Sequence, residues 1–381
     1  MEQPVRKSVR RLKPTDILTT TSDHRGESSL EFVSIVVPVR NEQRYIKATL
    51  EMLLRQEYPE EGFEILVVDG RSDDATRDIV KRIARIHTNV RLVDNPRIWS
   101  SAGRNVGVEH ARGDIILVID GHCELESTTH LRDLVDAFTR SGADIVGRPQ
   151  PLRVANASKL QQAISEARAS LLGHHPDSFV YTQVDRFVPA ISVGAAYRRN
   201  VFDAIGFFDE TFDACEDVDF NHRADQAELK CFFSSKVAVC YAPRSSLTGL
   251  FHQLARYGRG RIRLGRKHPE TFSLKTLLPG VFVTGILAGP ILPWIDTRLI
   301  WVYWLCLLFY VGVVIGASLS IAFRRRDWKL AFMLPLVFAT IHISAGFGIL
   351  QETLLGGLKS WWSSPAARTH RTMVVERSDR I

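Results

Sequence analysis

The chain lacks the cysteine patterns that mark metal-binding modules and disulfide-stabilised folds. Its five cysteines stand at scattered positions, and none forms a Cys-x-x-Cys pair. This spacing excludes a zinc knuckle, and the odd, scattered set is typical of reduced thiols in a cytoplasmic compartment. The sequence also shows no secretory leader, because the polar, basic stretch 1–31 contains no apolar run. We therefore expect residues 1–31 to form a disordered basic tail.

Charged residues are missing from three long stretches toward the C-terminus, although they make up 24% of the whole chain. The uncharged stretches cover residues 276–295, 299–323 and 330–350. About twenty apolar residues are enough to cross a bilayer as a helix. These stretches predict about three transmembrane helices within 276–350, followed by a polar basic tail over 351–381. A buried core helix is the alternative for each stretch.

Acidic residues are missing just before the first of these stretches. Residues 241–269 contain seven lysines and arginines and no aspartate or glutamate, in a chain with a net charge of +7. Basic charge beside a membrane segment favours contact with lipid headgroups or a pyrophosphate over contact with nucleic acid. We therefore expect the membrane, and no nucleic acid, as a partner.

What the sequence does contain, over residues 32–270, is the alternation of strands and helices typical of an α/β domain. The predicted strands cover residues 33–38, 63–69, 91–94 and 115–120. The predicted helices between them cover residues 42–56, 73–86 and 102–111. Later residues give a mixed pattern, with short strands at 191–197 and 237–241 and a basic amphipathic helix at 246–267. The alternation predicts a mostly parallel sheet covered by helices on both faces.

Polar side chains follow three of the predicted strands. They stand at residues 40–42, at Asp69 and at residues 120–122. Ligands of such sheets bind beyond the carboxyl ends of the strands. Asp120 and His122 could together hold a divalent cation that bridges the oxygens of a nucleotide diphosphate. An ordinary Asp-Gly turn is the alternative for this pair.

Two further groups could carry chemistry nearer the membrane. Residues 215–219 form a dense acidic cluster, which could hold a catalytic base or could simply begin a helix, because acids favour the first turn. Gln253 and Arg256 stand three residues apart, on one face of the predicted helix. An arginine suits a pyrophosphate, and a solvated basic face is the alternative.

The order of these motifs resembles the inverting family 2 glycosyltransferases of the GT-A fold. The resemblance covers about residues 33–270 and rests on seven short motifs in one order. They lie at residues 37–42, 67–76, 101–105, 120–122, 194–199, 208–217 and 253–257. Within the family, the Asp-x-His motif, the Arg-Tyr-Gly near the membrane and the C-terminal apolar segments are similar to the glucosyltransferases of succinoglycan biosynthesis.

The resemblance implies a role for each matching residue. The implied donor-binding residues are Pro38, Asn41, Glu42, Asp69, Asn105 and Asp120. Asp120 and His122 are implied to hold a divalent metal, Mn²⁺ or Mg²⁺, and Asp217 to be the general base beside Glu216. Gln253, Arg256 and Tyr257 are implied to bind the acceptor or the diphosphate. His122 replaces the family's second aspartate, which favours Mn²⁺, and Tyr257 replaces its tryptophan, so processivity is not implied.

The implied function is a membrane-bound, inverting transfer of a hexosyl group, glucose in the subgroup. The donor is a UDP-sugar, and the acceptor is a lipid-linked (polyprenyl diphosphate) saccharide used in cell-surface or extracellular polysaccharide synthesis. Other polysaccharide-assembly proteins are implied as partners. Two alternatives remain open: a polyisoprenyl-phosphate sugar synthase, which glycosylates the lipid phosphate itself, and a non-catalytic subunit of a polysaccharide-export complex.

The basic residues predict the orientation of the chain in the inner membrane. The catalytic domain, residues 324–326 and Lys329 are expected on the cytoplasmic side. Three crossings satisfy this but leave the basic tail 351–381 outside. Two crossings, with the first apolar stretch lying in the interface, put the arginines outside instead. We favour three crossings on the sequence alone.

Overall fold

The structure is a computed structural model that describes residues 31–153, 157–173 and 184–356. The predicted basic tails lie outside these ranges, except for Glu31 and residues 351–356. The described strands are β1 (Val33–Val39), β2 (Phe63–Asp69), β3 (Val90–Asp94), β4 (Ile115–Val118), β5 (Cys123–Leu125), β6 (Ile145–Arg148), β7 (Arg186–Phe187), β8 (Gly194–Arg198), β9 (Cys231–Phe233) and β10 (Val239–Tyr241). The described α-helices are α1 (Ile46–Leu54), α2 (Thr76–Ala84), α3 (Ser100–His110), α4 (His130–Ser141), α5 (Lys159–Arg168), α6 (Arg199–Ile205), α7 (Glu216–Gln226), α8 (Leu247–Lys267), α9 (Leu274–Ala288), α10 (Leu299–Arg325) and α11 (Lys329–Gln351).

Eight of the strands form one mixed sheet in the order β3-β2-β1-β4-β8-β6-β9-β7. Strands β3, β2, β1 and β4 run parallel, whereas β8 lies antiparallel between β4 and β6. Strands β5 and β10 make a separate antiparallel pair. The predicted mostly parallel, mixed sheet is therefore confirmed.

Strands β1 and β2 are buried along their whole length, which explains why all their residues except Ser34, Glu64 and Asp69 are apolar. Alternate side chains point to opposite faces of a strand. In β1, Ile35 and Val37 pack with Leu50 of α1 in one hydrophobic cluster, whereas Val36 packs with Val106 of α3 in the other. The sheet thus has a core on each face, as the α/β alternation predicts.

The parallel register brings the carboxyl ends of three strands to one edge. Val39 at the end of β1 lies beside Asp69 at the end of β2, and Asp69 lies beside Asp94 at the end of β3. Strand β4 pairs with β1 through Val118 and Val36, so residues 119–122 continue to the same edge. This edge therefore gathers the polar residues that the sequence placed after separate strands.

Three described helical segments are long and apolar enough to cross a membrane, which confirms the three predicted apolar helices. They cover Leu274–Trp294, Leu299–Arg325 and Lys329–Gly356. The first is α9 followed by a 3-10 turn at Gly289–Trp294. Pro290 and Pro293 lie in that turn, and neither can donate a backbone N–H to an α-helix.

Two of the later predicted strands are shorter than expected. The strand predicted at 191–197 begins at Gly194, because Ala190–Ser192 forms a 3-10 turn. The strand predicted at 237–241 begins at Val239, after a second 3-10 turn at Ser235–Val237. Both turns bury an apolar side chain, Ala190 and Val237, in the domain core.

Candidate active site

The loops that follow β1 and β2 are joined by hydrogen bonds between backbone and side chains. The backbone N–H of Asn41 donates to Ser72 Oγ at 2.9 Å, and that of Asp73 donates back to Asn41 Oδ1 at 3.0 Å. The next residue, Glu42, donates its N–H to Thr76 Oγ1 at 2.8 Å. Asn41 has a φ of 59°, a left-handed conformation that asparagine tolerates. These hydrogen bonds hold the two loops together at the carboxyl ends of β1 and β2.

Asp69 lies in this edge with a fully buried side chain. Its Oδ2 accepts from Arg77 Nη1 at 2.7 Å and from the N–H of Ser72 at 3.1 Å. Its Oδ1 is buried and has no hydrogen-bond partner among the described residues. A buried acceptor without a partner is costly, so it fits a donor supplied by a ligand, such as the ring N–H of a nucleobase.

Pro38 and Asn105 are held in the interior beside this edge. Pro38 is buried in β1, and a Cβ added at Gly103 of α3 would come within 3.2 Å of it. The amide of Asn105 donates to Phe208 O at 2.9 Å and to Glu210 Oε1 at 2.8 Å, and its oxygen accepts from the N–H of Phe208 at 2.9 Å. These contacts are structural, and the donor-binding roles of both residues stay predictions.

Glu42 and His122 meet across the end of the sheet. His122 Nδ1 lies 2.9 Å from Glu42 Oε1. A carboxylate only accepts, so Nδ1 carries a proton, and in the neutral imidazole Nε2 keeps its lone pair. Gly121 permits the approach, because a Cβ there would lie 2.7 Å from Val39 Cγ1. Burial alone would lower the pKa of His122, but the hydrogen bond to Glu42 and the charge of Asp120 outweigh burial and raise it.

Arg104 of α3 connects Asp120 to the acidic cluster at the start of α7. Its Nη2 lies 3.3 Å from Glu216 Oε1, and its side chain is only 14% exposed. Burial would lower the pKa of Arg104, but the negative charges of Glu216, Asp217 and Asp120, in that order, outweigh it and raise the pKa. One buried guanidinium is therefore paired with Glu216 and lies within the electrostatic influence of Asp217 and Asp120, which come from two distant parts of the chain.

The carboxyl groups in this cluster are not equivalent. Burial raises the pKa of Glu216, Arg104 opposes the rise, and the charges of Asp217 and Asp120 add to it. Asp217 is half-buried, and its Oδ1 accepts from the N–H of Val218 at 2.9 Å. A buried carboxyl paired with arginine and a more open carboxylate beside it can divide structural and proton-accepting roles.

Helix α8 closes the other side of the cluster. A Cβ added at Gly260 of α8 would lie 2.7 Å from Ala214 O, so α8 runs directly against the start of α7. Burial raises the pKa of Tyr257, Arg168 lowers it, and the charge of Asp217 raises it. The charge of Arg256 also lowers the pKa of Tyr257. Arg256 itself is exposed, whereas Gln253 is half-buried. The charge of Asp217 thus acts on Tyr257, and Gln253 and Arg256 lie on the same helix.

Arg104 is a site residue for which the sequence predicted no role. In the motif at residues 101–105, only Asn105 was expected to act. A signal was present, since Arg104 is the one charged residue in the first two turns of α3, among serine, alanine and glycine. Its partners come from α7, more than a hundred residues later, so the sequence alone could not show what it faces.

Asp120 and His122 form a donor set that fits a divalent cation. Carboxylate oxygen and imidazole nitrogen together suit a borderline ion such as Mn²⁺. The bond from His122 to Glu42 orients the imidazole and leaves Nε2 available, which is the arrangement that supports histidine ligands in metal sites. Asp120 and His122 are therefore the residues that would hold a divalent metal at this position.

Comparisons with known proteins point to one enzyme family. A family model described as glycosyl transferase family 2 matches residues 34–206. The succinoglycan biosynthesis protein ExoA of Rhizobium meliloti is 28% identical over 84% of this chain and 94% of that protein. A dolichyl N-acetyl-alpha-D-glucosaminyl phosphate 3-beta-D-2,3-diacetamido-2,3-dideoxy-beta-D-glucuronosyltransferase of Methanococcus voltae is 23% identical over 86% of this chain and 98% of that protein.

A solved structure shares the fold. The mannosyltransferase PcManGT from Pyrobaculum calidifontis, in complex with GDP-Man and Mn²⁺, superposes with a TM-score of 0.55. It is 17% identical, over 85% of this chain and 88% of that chain. The family match, the relatives that align over most of their own length and the shared fold lead to one conclusion: residues 34–206 form a family 2 glycosyltransferase domain, and the chain has the GT-A fold.

Proposed function

We propose that the chain moves a hexosyl group from a UDP-sugar to a lipid-linked saccharide, with inversion at the anomeric carbon. The observation that carries this proposal is the cluster of Asp120, Glu216 and Asp217 around Arg104. It joins the strand-end edge, which suits a nucleotide, to a helix next to the membrane segments, which suits a lipid-borne acceptor.

Asp217 is the proposed general base. It is half-buried, its charge acts on Tyr257, and it begins a helix whose start packs against α8. Its carboxylate accepts the proton of the acceptor hydroxyl as that oxygen attacks the sugar. Positioned general bases contribute roughly 10²–10⁴-fold to rates. Glu216 stays paired with Arg104 and holds the helix start in place.

Asp69, Asp120 and His122 are the proposed donor and metal residues. The free Oδ1 of Asp69 accepts from the nucleobase, as its buried position and unused lone pair allow. Asp120 and His122 hold the divalent metal, which would neutralise the departing diphosphate. Glu42 keeps His122 in the tautomer and orientation that this role requires.

The lipid-linked acceptor is supported by two observations. The printed name of the Methanococcus voltae relative describes transfer to a sugar already carried on dolichyl phosphate, and ExoA belongs to the biosynthesis of a polysaccharide. Seven basic residues within 241–269 lie just before α9, where a lipid diphosphate would be found. The relatives also disfavour the alternative in which the lipid phosphate itself is glycosylated.

The test is a transfer assay with the full chain in lipid nanodiscs. Each of several UDP-sugars is supplied with polyprenyl phosphate, with polyprenyl diphosphate, or with a polyprenyl diphosphate saccharide, and the lipid product is identified by mass spectrometry. We expect transfer only to the saccharide, with one configuration at the new bond opposite to that of the donor. Transfer to polyprenyl phosphate instead would identify a polyisoprenyl-phosphate sugar synthase.

We further propose that α9 and α10 cross the membrane and that α11 lies along the catalytic domain at the interface. Both ends of α11 form ion pairs with that domain: Lys159 of α5 lies 2.7 Å from Asp327, and Arg263 of α8 lies 3.0 Å from Glu352. At its middle, His342 Nε2 donates to Leu172 O at 2.8 Å. A helix held at both ends by one domain does not place its ends on opposite sides of a bilayer.

The packing of α8 supports the same arrangement. An added Cβ at Gly258 would lie 2.4 Å from Ala345 O, and one at Gly348 would lie 2.0 Å from Ala255 O, so α8 and α11 touch backbone to backbone. Helix α8 carries six basic residues, so it does not enter the hydrocarbon core of the membrane. Because α11 packs directly against α8, we expect α11 to lie at the interface as well. When α9 and α10 are the two crossing helices, the arginines at 324–326 and the C-terminal end of the chain are both on the cytoplasmic side.

Cysteine labelling tests this topology in sealed vesicles of known orientation. In a Cys306→Ser background, we expect Arg326→Cys and Leu355→Cys to react with a membrane-impermeant maleimide from the cytoplasmic side, and Thr297→Cys from the other. Three crossings would instead expose Leu355→Cys on the same side as Thr297→Cys. The four remaining cysteines are buried and should contribute little background.

A further inference from the structure

A cluster of two histidines and a glutamate lies outside the proposed catalytic cluster. His222 is on α7, and His268 and Glu270 lie just after the end of α8. One possible ligand atom from each residue lies within 4.8 Å of the other two. His222 Nε2 is 2.8 Å from Glu270 Oε1, and His268 Nδ1 is 3.8 Å from the same oxygen. The two imidazole rings are 4.7 Å apart between centroids.

The hydrogen bond between His268 and Asp219 places a proton on Nε2 of His268. Its Nε2 lies 2.9 Å from Oδ1 of Asp219, a carboxylate with no exposed surface. Asp219 is also paired with Lys267 at 2.7 Å and Arg223 at 3.1 Å, and a carboxylate that faces these three nitrogens accepts from each of them. His268 therefore carries a proton on Nε2, and in the neutral ring Nδ1, which lies 3.8 Å from Glu270 Oε1, keeps its lone pair.

The third ligand is oriented as well. Gln226, one helical turn beyond His222, donates from Nε2 to Glu270 Oε1 at 2.7 Å. The side chains of His222 and His268 are 11% and 12% exposed, and that of Glu270 is 51% exposed. The cluster thus has two shielded nitrogens, one accessible oxygen and an open side through which an ion could enter.

We propose that His222, His268 and Glu270 bind a divalent cation of the Zn²⁺ class, separate from the metal at Asp120 and His122. Two imidazoles and one carboxylate are a known tetrahedral zinc set that leaves a fourth position for water. The Asp219–His268 bond is the outer support that histidine ligands of zinc usually have. On binding, the ion takes the place of the proton between His222 Nε2 and Glu270, and the neutral imidazole keeps its one ring proton on Nδ1.

The site would connect the catalytic helix to the membrane. His222 lies five residues after Asp217 on α7, and Glu270 lies four residues before α9 begins at Leu274. An ion held there clamps the helix of the proposed base to the segment that enters the bilayer. The inference concerns metal content and does not depend on the sugar donor or the acceptor.

Zinc content of the purified full chain tests the proposal. The protein is prepared in nanodiscs with Asp120→Asn and His122→Gln, which remove the other candidate metal ligands, and is dialysed against buffered micromolar Zn²⁺. We expect one zinc per chain by mass spectrometry of the metal. Glu270→Gln should weaken binding at least tenfold, and His222→Gln with His268→Gln should abolish it. His87→Gln, a half-buried histidine on the opposite part of the domain, is the matched control.

Two results would overturn the proposal. One is a chain that retains no zinc in the Asp120→Asn, His122→Gln background; the cluster would then hold protons only. The other is zinc content that is unchanged by Glu270→Gln. Because Glu270 is half-exposed, its substitution should leave the fold intact, and the thermal transition without metal checks this. Absorption of bound Co²⁺ in the visible range, present in the background and lost in the variants, gives a second readout of nitrogen and oxygen ligation.

Discussion

The proposed catalytic site has two halves that are built differently: a donor half after strands β1, β2 and β4, and an acceptor half at helices α7 and α8. On the donor half, the loops after β1 and β2 are joined by hydrogen bonds between residues about thirty positions apart. On the acceptor half, contacts join distant parts of the chain: Ser101 Oγ donates to Phe212 O across 111 positions, and Arg259 reaches Gln351 across 92. The donor half is a property of the α/β domain, whereas the acceptor half depends on packing against the apolar helices.

This difference separates the effects of substitutions. Changes on the donor half should alter metal or donor affinity, or the stability of the sheet, and should do so in any lipid. Changes on the acceptor half should alter the chemical step or the use of the acceptor. The size of these effects should also depend on the surrounding lipid, because the contact between α8 and α11 holds the acceptor half together.

The largest effect is expected from Asp217→Asn. An amide cannot accept the proton of the acceptor hydroxyl, so kcat should fall by roughly 10²–10⁴-fold. The KM for the donor should stay close to that of the parent, because Asp217 lies on the acceptor half. Initial rates of UDP release in nanodiscs measure both quantities.

The matched control for that change is Asp203→Asn, which alters an exposed carboxylate on α6. It should leave kcat unchanged. If Asp217→Asn instead raised the donor KM and left kcat intact, Asp217 would belong to the donor half, and the proposed division of the site would fail.

A smaller effect is expected from Glu42→Ala on the donor half. Loss of the bond to His122 releases the imidazole, and outer partners of metal ligands typically affect affinity by about 10–100-fold. After treatment with chelator, the Mn²⁺ concentration for half-maximal activity should rise by that factor, and kcat at saturating Mn²⁺ should largely return. Titration of Mn²⁺ against UDP release gives the comparison.

Glu51→Ala removes an exposed glutamate from α1 and serves as the control for Glu42. Its Mn²⁺ curve should match that of the parent. Full activity of the parent in excess chelator would remove the metal from the mechanism altogether.

The donor half was also the part that the sequence could predict. Strands β1, β2 and β4 are mostly apolar, and parallel pairing brings their carboxyl ends to one edge. The amino-acid pattern was therefore enough to place Asp69 and Asp120 at the same edge of the sheet. Helix α4 was not predicted, although Leu131, Leu134 and Phe138 have helical spacing and are all buried.

The acceptor half was predictable only through the resemblance. Nothing in the spacing of residues shows that Arg104 meets Glu216, or that the charge of Asp217 acts on Tyr257. Those contacts depend on α7 and α8 returning to α3 after a mixed stretch of short strands. Long-range packing of this kind has no periodic signature, so it appears only in three dimensions.

The stability of the donor half rests partly on Glu64, whose side chain has no exposed surface. It accepts from Ser34 Oγ at 2.8 Å, from the N–H of Arg112 at 2.7 Å and from Arg91 Nη1 at 3.0 Å. Burial raises the pKa of Glu64, but these hydrogen bonds and the charge of Arg112 outweigh burial and lower it below 4.5. Glu64→Gln should cost about 2 kcal/mol of unfolding free energy at pH 7, the range for bonds to charged groups.

The pH dependence of that cost follows from the direction of the shift. A lowered pKa in the folded state means that Glu64 stabilises the fold above its unfolded pKa and loses this contribution as the pH falls through the folded pKa. The gap in midpoint temperature between parent and Glu64→Gln should therefore narrow below about pH 4.5. Glu61 is an exposed glutamate three positions earlier, and the midpoint temperature of Glu61→Gln should equal that of the parent at every pH.

The smallest effect is expected from Tyr257→Phe on the acceptor half. The ring on α8 is kept, and only the hydroxyl is lost, on which the charges of Asp217 and Arg256 act. One hydrogen bond contributes about 1 kcal/mol, so kcat/KM for the acceptor should fall roughly fivefold. The donor KM should not move. Tyr45→Phe, an exposed tyrosine of the donor half, is the matched control.

The effect of Tyr257→Phe on kcat/KM should also depend on the lipid that surrounds the chain. Tyr257 lies on α8, which touches α11 backbone to backbone, so its position follows the apolar helices. The fivefold loss should therefore change between nanodiscs of short-chain and long-chain lipid, whereas the Mn²⁺ shift of Glu42→Ala should be the same in both. If both effects varied equally with lipid, the two halves would move as one body, and the donor half would not be the independent scaffold that its short-range hydrogen bonds indicate.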